Sequence, residues 1–333
     1  MKILYAIQGT GNGHVSRAKE IIPLLSKYGK LDILVSGTQA DIELPQQLTY
    51  KFHGFSYIFG KNGGIDYWKT LKQVKLFRFL KDMRSIPLTE YDLIINDFEP
   101  LSAWACKLKN KNCIALSHQA SFLSKNTPRP KNKSFLMEQI LKYYAPTTTQ
   151  VGFHFDRYDK FIYTPVIRSE IRALSPVNNG HYTVYLPAVD DKILLEHFHK
   201  LKDVKWEVFS KHQKTPYRYA NVLVKPIQNE SYNKSLESCA GLLTGGGFEG
   251  PAEALYLGKK VLLVPMPDQF EQVCNAEAAK RLGVSVINNL SDNFFNKLKK
   301  WVEEEKPIKV DFPDETSDII ENIISVHQHK KQH

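Results

Sequence analysis

Short apolar runs alternate along the chain with longer segments in which apolar residues recur at helical spacing. Each run is four to six residues long, which is the length of a buried strand. Strands that alternate with helices indicate parallel sheets connected by crossover helices. The pattern therefore predicts an α/β protein. The predicted strands are Lys2 to Ile7, Leu31 to Ser36, Leu93 to Asn96, Cys113 to Ser117, Tyr182 to Leu186, Trp206 to Phe209, Ala240 to Leu243 and Val261 to Val264.

The segment from Tyr163 to Gly180 interrupts this alternation and has the proline and glycine content of a linker. A chain of 333 residues, 42% of them hydrophobic, is long enough for two domains. We predict a first domain over residues 1–165 and a second over residues 178–315. Residues 316–333 are predicted to form a last helix and a tail, because their isoleucines recur at helical spacing.

A glycine-rich loop follows the first predicted strand. It contains Gly9, Gly11 and Gly13, is followed at once by His14, and leads into a helical pattern. A strand, a glycine loop and a helix are typical of the start of a nucleotide-binding fold, although the glycine spacing is not the dinucleotide fingerprint. Gly11 and Gly13 are predicted to belong to the donor-binding site.

A second glycine-rich loop follows the run Ala240 to Leu243. Its glycines leave backbone N–H groups bare, and Pro251 suits the first turn of a helix that points its positive end at the same place. The loop is predicted to hold a diphosphate, and Glu253 in that first turn to accept hydrogen bonds from ribose hydroxyls. The predicted donor site also takes in Ile227, Gly245, Gly246, Gly247, Phe248, Glu249, Asp268 and Gln269.

The order Gly-Gly-aromatic, Glu, Leu-Gly, Val-Pro, Asp-Gln, Asn-Ala over residues 240–285 resembles the donor motif of GT-B glycosyltransferases. These include the plant UDP-glycosyltransferases and the lipid-linked N-acetylglucosaminyltransferase of peptidoglycan synthesis. The resemblance implies two Rossmann-like domains that face each other across a cleft, the first for the acceptor and the second for the donor, and a last helix that crosses back. It aligns Glu253 with a ribose-binding glutamate. Gly245 and Glu249 stand where the plant motif has histidine and asparagine, so backbone amides must carry more of the phosphate binding.

The catalytic candidates come from the first half of the chain. His14 resembles the histidine on the cleft floor of these enzymes, and Asp97 resembles the aspartate that pairs with it. An inverting transferase needs a base for the acceptor hydroxyl, and histidine can serve near neutral pH if a carboxylate orients it. Glu99 is the alternative base, and His118 is predicted to touch the acceptor. Arg168 either lies near the diphosphate, as the resemblance implies, or forms a linker salt bridge.

Composition narrows the classes of partner. The net charge of +10 and the pI near 9.2 suit either an anionic partner or a basic surface, and no nucleic-acid-binding module is recognisable. No run is long enough to span a membrane, so we expect a cytoplasmic protein. The basic and apolar segment Tyr67 to Lys81 predicts either an interfacial helix at the inner face of the membrane or a helix that packs through Leu71, Val74, Phe77 and Leu80. No Asp-x-Asp triplet is present, so no metal and no cofactor beyond the nucleotide sugar are expected.

Together these features predict an inverting, metal-independent hexosyltransferase that uses a nucleotide sugar, most simply a UDP-sugar. Its acceptor would be a hydroxyl compound, lipid-linked or free, in the synthesis of glycolipid, cell-surface polysaccharide or small-molecule glycosides. One alternative is a non-hydrolysing UDP-sugar 2-epimerase, which shares the fold but has no outside acceptor. Another is a nucleotide-sugar-binding protein that has lost catalysis.

Overall fold

The computed structural model describes residues 1–37, 44, 47–54, 76–131, 134–290 and 293–332. The first half of the chain forms a parallel seven-stranded sheet in the order β3-β2-β1-β4-β5-β6-β7. Its strands are β1 (Lys2–Gln8), β2 (Lys30–Ser36), β3 (Tyr50–Phe52), β4 (Leu93–Asp97), β5 (Ile114–Ser117), β6 (Thr149–Phe153) and β7 (Ile162–Tyr163).

The second half forms another seven-stranded sheet, in the order β10-β11-β9-β8-β12-β13-β14. All its pairings are parallel except that of β10 with β11, which is antiparallel. Its strands are β8 (His181–Tyr185), β9 (Lys205–Ser210), β10 (Tyr217–Tyr219), β11 (Val222–Pro226), β12 (Gly241–Thr244), β13 (Lys260–Leu263) and β14 (Ser285–Val286).

Helices connect these strands and cover the sheets. They are α1 (Asn12–Ser26), α2 (Leu76–Ser85), α3 (Pro100–Leu108), α4 (Phe135–Tyr144), α5 (Ser169–Arg172), α6 (Asp191–Phe198), α7 (Asn229–Ser238), α8 (Glu249–Tyr256), α9 (Phe270–Arg281), α10 (Phe294–Glu304) and α11 (Thr316–Gln332). The last helix packs against α1, and its isoleucines are buried there. The crossing back of the C-terminal helix is therefore confirmed.

All eight predicted strands are present, each within one residue of its predicted ends. The pattern missed the strands β3, β6, β7, β10, β11 and β14. Most of these are two or three residues long and lie at or near a sheet edge, where they are only partly covered and need no continuous apolar run. The predicted architecture of two Rossmann-like domains is confirmed.

The segment Tyr67 to Lys81 lies outside the described residues as far as residue 75. Phe77, which the packed-helix interpretation placed in the core, is 90% exposed in α2. Leu80 packs against the core of the first domain, as that interpretation predicted, together with Phe79 and Met83. The placement of Phe77 is therefore wrong. Within the described part of the chain, no helix is both long and apolar enough to cross a membrane.

The pairing register of β1 with β4 places the first glycine loop next to the carboxyl end of β4. Ile7 of β1 pairs with Asp97, the last residue of β4. The loop after β1 and the turn after β4 therefore leave the sheet at the same edge, which is the edge where α/β sheets bind ligands.

Candidate active site

His14 and Asp97 form a hydrogen-bonded pair at the carboxyl edge of the first sheet. The Nδ1 atom of His14 lies 2.8 Å from Oδ1 of Asp97. Because the carboxylate can only accept, Nδ1 is the donor in this bond, and in the neutral imidazole the lone pair is then on Nε2. Nε2 lies 3.5 Å from the side-chain nitrogen of Gln119. His14 therefore presents Nε2 on the side away from Asp97.

Arg17 is a member of this group that the sequence interpretation missed. It lies one turn after His14 on α1, is 2% exposed, and donates to both carboxylate oxygens of Asp97, with Nη2 at 2.6 and 2.8 Å and Nε at 3.1 Å. Its Nη1 reaches across to the second domain and lies 2.5 Å from Oε1 of Glu249. Its spacing of three residues from His14, on one helix face, is the signal that could have found it.

Arg17 and His14 stabilise the negative charge of Asp97. Burial by itself raises the pKa of Asp97, but Arg17 and His14 more than offset the burial, and the net effect lowers its pKa. Asp97 is therefore an ionised carboxylate with no exposure to solvent. It can orient the imidazole without taking its proton.

Glu99, the alternative base, is the N-cap of α3. Its oxygen Oε1 accepts from the hydroxyl of Ser36 at 2.5 Å and from the amide of Leu101 at 2.8 Å. Its Oε2 accepts from the amide of Ser102 at 2.7 Å and from its hydroxyl at 2.6 Å. Burial raises the pKa of Glu99, although these bonds act against the rise. With both oxygens occupied and no solvent exposure, Glu99 caps a helix and is not placed to take a proton.

Phe98 separates the two carboxylates. Its φ of 55° lies in the left-handed region, which is unusual for an aromatic residue. The turn directs Asp97 towards His14 and Glu99 into the start of α3. The Phe98 ring lies parallel to the imidazole of His14, with ring centroids 6.4 Å apart.

The second glycine loop follows β12 and leads into α8, which begins at Glu249 and has Pro251 in its first turn, as predicted. A side chain at Gly246 would collide with Gln272 and Pro265. The amide of Gly246 donates to Oε1 of Gln272 at 3.1 Å, and the carbonyl of Gly246 accepts from Asn275 at 3.1 Å. A Cβ atom at Gly247, by contrast, would meet no described atom within 4 Å. Gln272 and Asn275 therefore fix one side of the loop, whereas no described atom covers the side of Gly247.

The N-cap residues of α1 and α8 are Gly11 and Phe248, and neither provides a side-chain hydrogen bond to the first turn of its helix. The carboxylate of Glu249 lies directly against Gly13 at the start of α1, where a Cβ atom would overlap it. Glu249 therefore places a negative charge at the positive end of the opposite domain's helix. The structure places Glu249 across the cleft rather than in the phosphate loop from which it arises.

Glu253 and Arg168 are joined in a buried bidentate ion pair. Nε of Arg168 lies 2.6 Å from Oε1 of Glu253, and Nη2 lies 2.8 Å from Oε2. Burial raises the pKa of Glu253, and Arg168 acts against that rise. Further hydrogen bonds of the guanidinium go to Glu170, Asn229 and Asn233. Of the two interpretations of Arg168, the structure favours the salt bridge.

His118 does not face an acceptor. Its ring stacks on Phe248 with centroids 3.9 Å apart, and it is 1% exposed. Its Nδ1 lies 2.8 Å from the carbonyl oxygen of Phe153, and its Nε2 lies 2.9 Å from Oδ1 of Asn275. Both ring nitrogens are thus engaged, and His118 packs the two domains together in place of the acceptor contact predicted for it.

The remaining predicted donor residues lie at the carboxyl edge of the second sheet. Ile227 follows β11 and is half-buried. Asp268 is exposed in the turn before α9, and Gln269 is the N-cap of that helix. The oxygen of Gln269 accepts from Gln272 at 2.6 Å, which ties it to the residue behind the glycine loop.

A family model described as glycosyl transferase family 1 matches residues 1–304. The chain belongs to this family. It is therefore a glycosyltransferase, as the resemblance of its donor motif implied. No curated protein is similar enough in sequence to count as a match.

Solved GT-B glycosyltransferases have the same fold over nearly the whole length. SnogD from Streptomyces nogalater is 13% identical, with 97% of this chain and 99% of that chain covered and a TM-score of 0.54. MurG from Acinetobacter baumannii is 14% identical, with 97% and 99% covered and a TM-score of 0.54. UGT89C1 from Arabidopsis thaliana, complexed with UDP-L-rhamnose, is 12% identical, with 98% and 93% covered and a TM-score of 0.56. At these identities the likeness shows the fold of this glycosyltransferase.

Proposed function

We propose that this glycosyltransferase moves a hexosyl group from a nucleotide sugar to a hydroxyl acceptor with inversion at the anomeric carbon. The observation that carries the proposal is the His14–Asp97 pair, which lies on the cleft beside the starts of α1 and α8 and directs Nε2 of His14 away from Asp97. UDP is the favoured nucleotide, because the structurally similar UGT89C1 was solved with UDP-L-rhamnose.

In the proposed reaction, Nε2 of His14 removes the proton of the acceptor hydroxyl. The acceptor oxygen then forms a bond to the anomeric carbon as the bond from that carbon to the diphosphate breaks. Asp97 stabilises the imidazolium that forms. Asp97 itself stays ionised, because the positive charge of Arg17 lowers its pKa. A single displacement of this kind inverts the anomeric centre.

The leaving diphosphate would be bound by backbone amides. Gly245, Gly247 and the first turn of α8 provide N–H groups, and the open space next to Gly247 leaves room for phosphate oxygens. Arg168 is removed from this role because Glu253 and its other partners occupy it. In this arrangement the α8 dipole and the loop amides supply the positive field.

Transfer is expected to proceed without a divalent cation. Because fixed N–H groups can stabilise the charge of the departing diphosphate, activity in excess EDTA should equal activity with added magnesium or manganese. The measurement is product formation from a labelled UDP-sugar after dialysis against chelator, with magnesium restored as the control. Strict dependence on either cation would contradict this expectation.

Glu253→Gln is expected to weaken UDP binding by about 1.5 to 3 kcal/mol, the range of a hydrogen bond to a charged group. We propose that Arg168 orients the carboxylate of Glu253 towards the ribose. Calorimetry with UDP measures the loss. Glu253→Ala is a poorer test than Glu253→Gln, because it would leave the Arg168 guanidinium buried without its main partner.

Glu170→Gln is the matched control for Glu253→Gln. Glu170 bonds to the same guanidinium but is 45% exposed and lies on α5. UDP affinity should stay close to that of the wild type. Equal affinity for UDP in wild type and Glu253→Gln would remove the ribose role.

The overall function is tested with a panel of labelled UDP-sugars and a lipid extract. Label transferred to an acceptor supports the proposal, with inversion read from the anomeric configuration of the product. An isomerised donor would indicate the epimerase, and binding without turnover would indicate a protein that has lost catalysis. Either outcome would overturn the proposal.

A further inference from the structure

A cavity of about 480 Å³ lies in the first domain between α3, β5 and α4. Its floor is formed by Cys113, Ala115 and Ser117, which are alternate residues and therefore share one face of the sheet. Its volume lies in the range of small-molecule binding sites. None of the residues of α4, which lies over it, is buried, so this helix is loosely packed for one that covers a sheet.

The inner end of the cavity adjoins Nε2 of His14. Phe98 and Gln119 both line the cavity, and both contact His14, through the parallel rings and through the 3.5 Å approach of Gln119 to Nε2. The oxygen Oε1 of Gln119 is buried and has no hydrogen-bond partner among the described residues. An unpaired buried oxygen is costly, and a ligand hydroxyl would satisfy it.

The outer end of the cavity is basic. Lys107, Lys111 and Lys142 line it, and none of the described lining residues is acidic. Lys107 and Lys142 approach the same ring, that of Tyr143, at 5.8 and 5.3 Å. Lys111 precedes β5, so it lies near the amino edge of the sheet, whereas Gln119 follows β5 at the carboxyl edge. The strand between them spans roughly 10 Å, with about 3.3 Å per residue.

Between the two ends the lining is mainly apolar, with Phe98, Ala115, Leu123, Leu141 and Tyr143. The cavity thus offers a hydrogen-bond acceptor beside the base, then an apolar section, then a cluster of positive charge. This arrangement of polar, apolar and basic surfaces fits a ligand that is polar at both ends and apolar between them.

We propose that this cavity is the acceptor site, and that the acceptor is an elongated amphiphile with a hydroxyl at one end and an anionic group at the other. At the inner end, the reacting hydroxyl donates its proton to Nε2 of His14, and a neighbouring hydroxyl of the same ligand donates to Oε1 of Gln119. The anion lies among Lys107, Lys111 and Lys142. This inference deepens the proposed function and rests on His14 as the base. The anion can be a phosphate or a carboxylate, which the test separates by comparing alkyl phosphates with fatty acids as competitors.

The test uses the full-length protein without a sugar donor. Two fluorescent probes share one ring system: 1-anilinonaphthalene-8-sulfonate carries an anion, and N-phenyl-1-naphthylamine does not. The wild type should bind the sulfonate more tightly than the neutral amine. Lys107→Glu should weaken sulfonate binding by about 5-fold or more, as expected for reversal of a partly exposed charge contact, and leave binding of the amine unchanged.

Lys109→Glu is the matched control, because Lys109 is an exposed lysine at the same helix end that does not line the cavity. It makes the same change in net charge and should leave both affinities unchanged. Equal losses in Lys107→Glu and Lys109→Glu would show a general surface effect and overturn the proposal. Equal wild-type affinities for the two probes would do the same.

Filling the cavity provides a second test. Ala115→Phe should abolish binding of both probes and reduce label transfer to the lipid extract, with UDP affinity unchanged. Thr147→Trp closes the cavity from a loop and should have the same effects if Ala115→Phe disturbs the sheet. Full transfer activity in a folded variant that no longer binds the probes would show that acceptors bind elsewhere.

His14→Ala separates this proposal from the proposed function. Probe binding should survive in that variant, because His14 is not among the cavity residues. Loss of catalysis with binding retained is the expected result. Retained catalysis in His14→Ala would reject the base, whereas absent probe binding in the wild type would reject the cavity as the acceptor site.

Discussion

His14→Ala is expected to lower the turnover number by about 100-fold or more, which is the usual effect of losing a general base. Nδ1 of His14 is fixed by Asp97 at 2.8 Å, so Nε2 is the atom that can take the acceptor proton. The affinity for UDP should change little, because the predicted donor contacts lie on the second domain. Single-turnover rates with a labelled UDP-sugar, together with UDP calorimetry, separate the two quantities.

Asp97→Asn tests whether the pair acts as one unit. It should give a smaller loss in turnover than His14→Ala, through a misoriented imidazole, and the double variant should be no slower than His14→Ala alone. His53→Ala, a change at an exposed histidine, is the control and should keep full turnover. Near-normal turnover in His14→Ala combined with its abolition in Glu99→Gln would make Glu99 the base, despite its four hydrogen bonds as a helix cap.

The elements that form this site could be predicted because they depend on local pattern. A buried strand followed by Gly9, Gly11 and Gly13, and a second followed by Gly245 to Gly247, can be identified from apolar runs and glycine alone. The carboxyl edge of a parallel sheet is also where its loops meet. The sequence therefore located both halves of the cleft and paired His14 with the correct aspartate.

Local pattern could not predict which of the acidic side chains faces the cleft. Asp97 and Glu99 are two residues apart, and both are acidic residues at the end of a strand. Their separation depends on the left-handed φ of Phe98 and on four hydroxyl and amide donors around Glu99, one of which is the hydroxyl of Ser36 from another strand. Composition and periodicity carry no information on that turn.

Contacts between residues that lie far apart in the sequence could not be predicted from the sequence pattern either. His118 was expected at the acceptor, but it is covered by Phe248 and Asn275, which lie far from it in sequence. The pairing of Arg168 with Glu253 spans 85 residues. Such contacts require the domains to be docked, and a helical or strand pattern describes only one element at a time.

Arg17→Met is expected to destabilise the fold by about 3 to 5 kcal/mol, the cost of leaving a buried charge without its partner. Arg17 is 2% exposed and provides three of the hydrogen bonds to Asp97, a carboxylate with no solvent exposure. The variant would also lose the contact from α1 to Glu249 on the second domain. Urea unfolding measures the loss, and Lys19→Met, a neutralising change at a half-buried position on the same helix, should leave the midpoint nearly unchanged.

The same variant should shift the pH dependence of transfer. Burial raises the pKa of Asp97, and Arg17 is the largest of the groups that lower it. Without Arg17 the pKa of Asp97 rises, so in Arg17→Met this carboxyl takes a proton at a higher pH than in the wild type. The acidic limb of the rate profile should therefore move to higher pH, because only an ionised Asp97 stabilises the imidazolium that forms during transfer. Arg17→Lys restores the positive charge but not the bidentate contact with Asp97. It should therefore return the acidic limb towards its wild-type pH more fully than it restores the free energy of unfolding. An unchanged limb in a folded Arg17→Met protein would show that Arg17 supports only the structure.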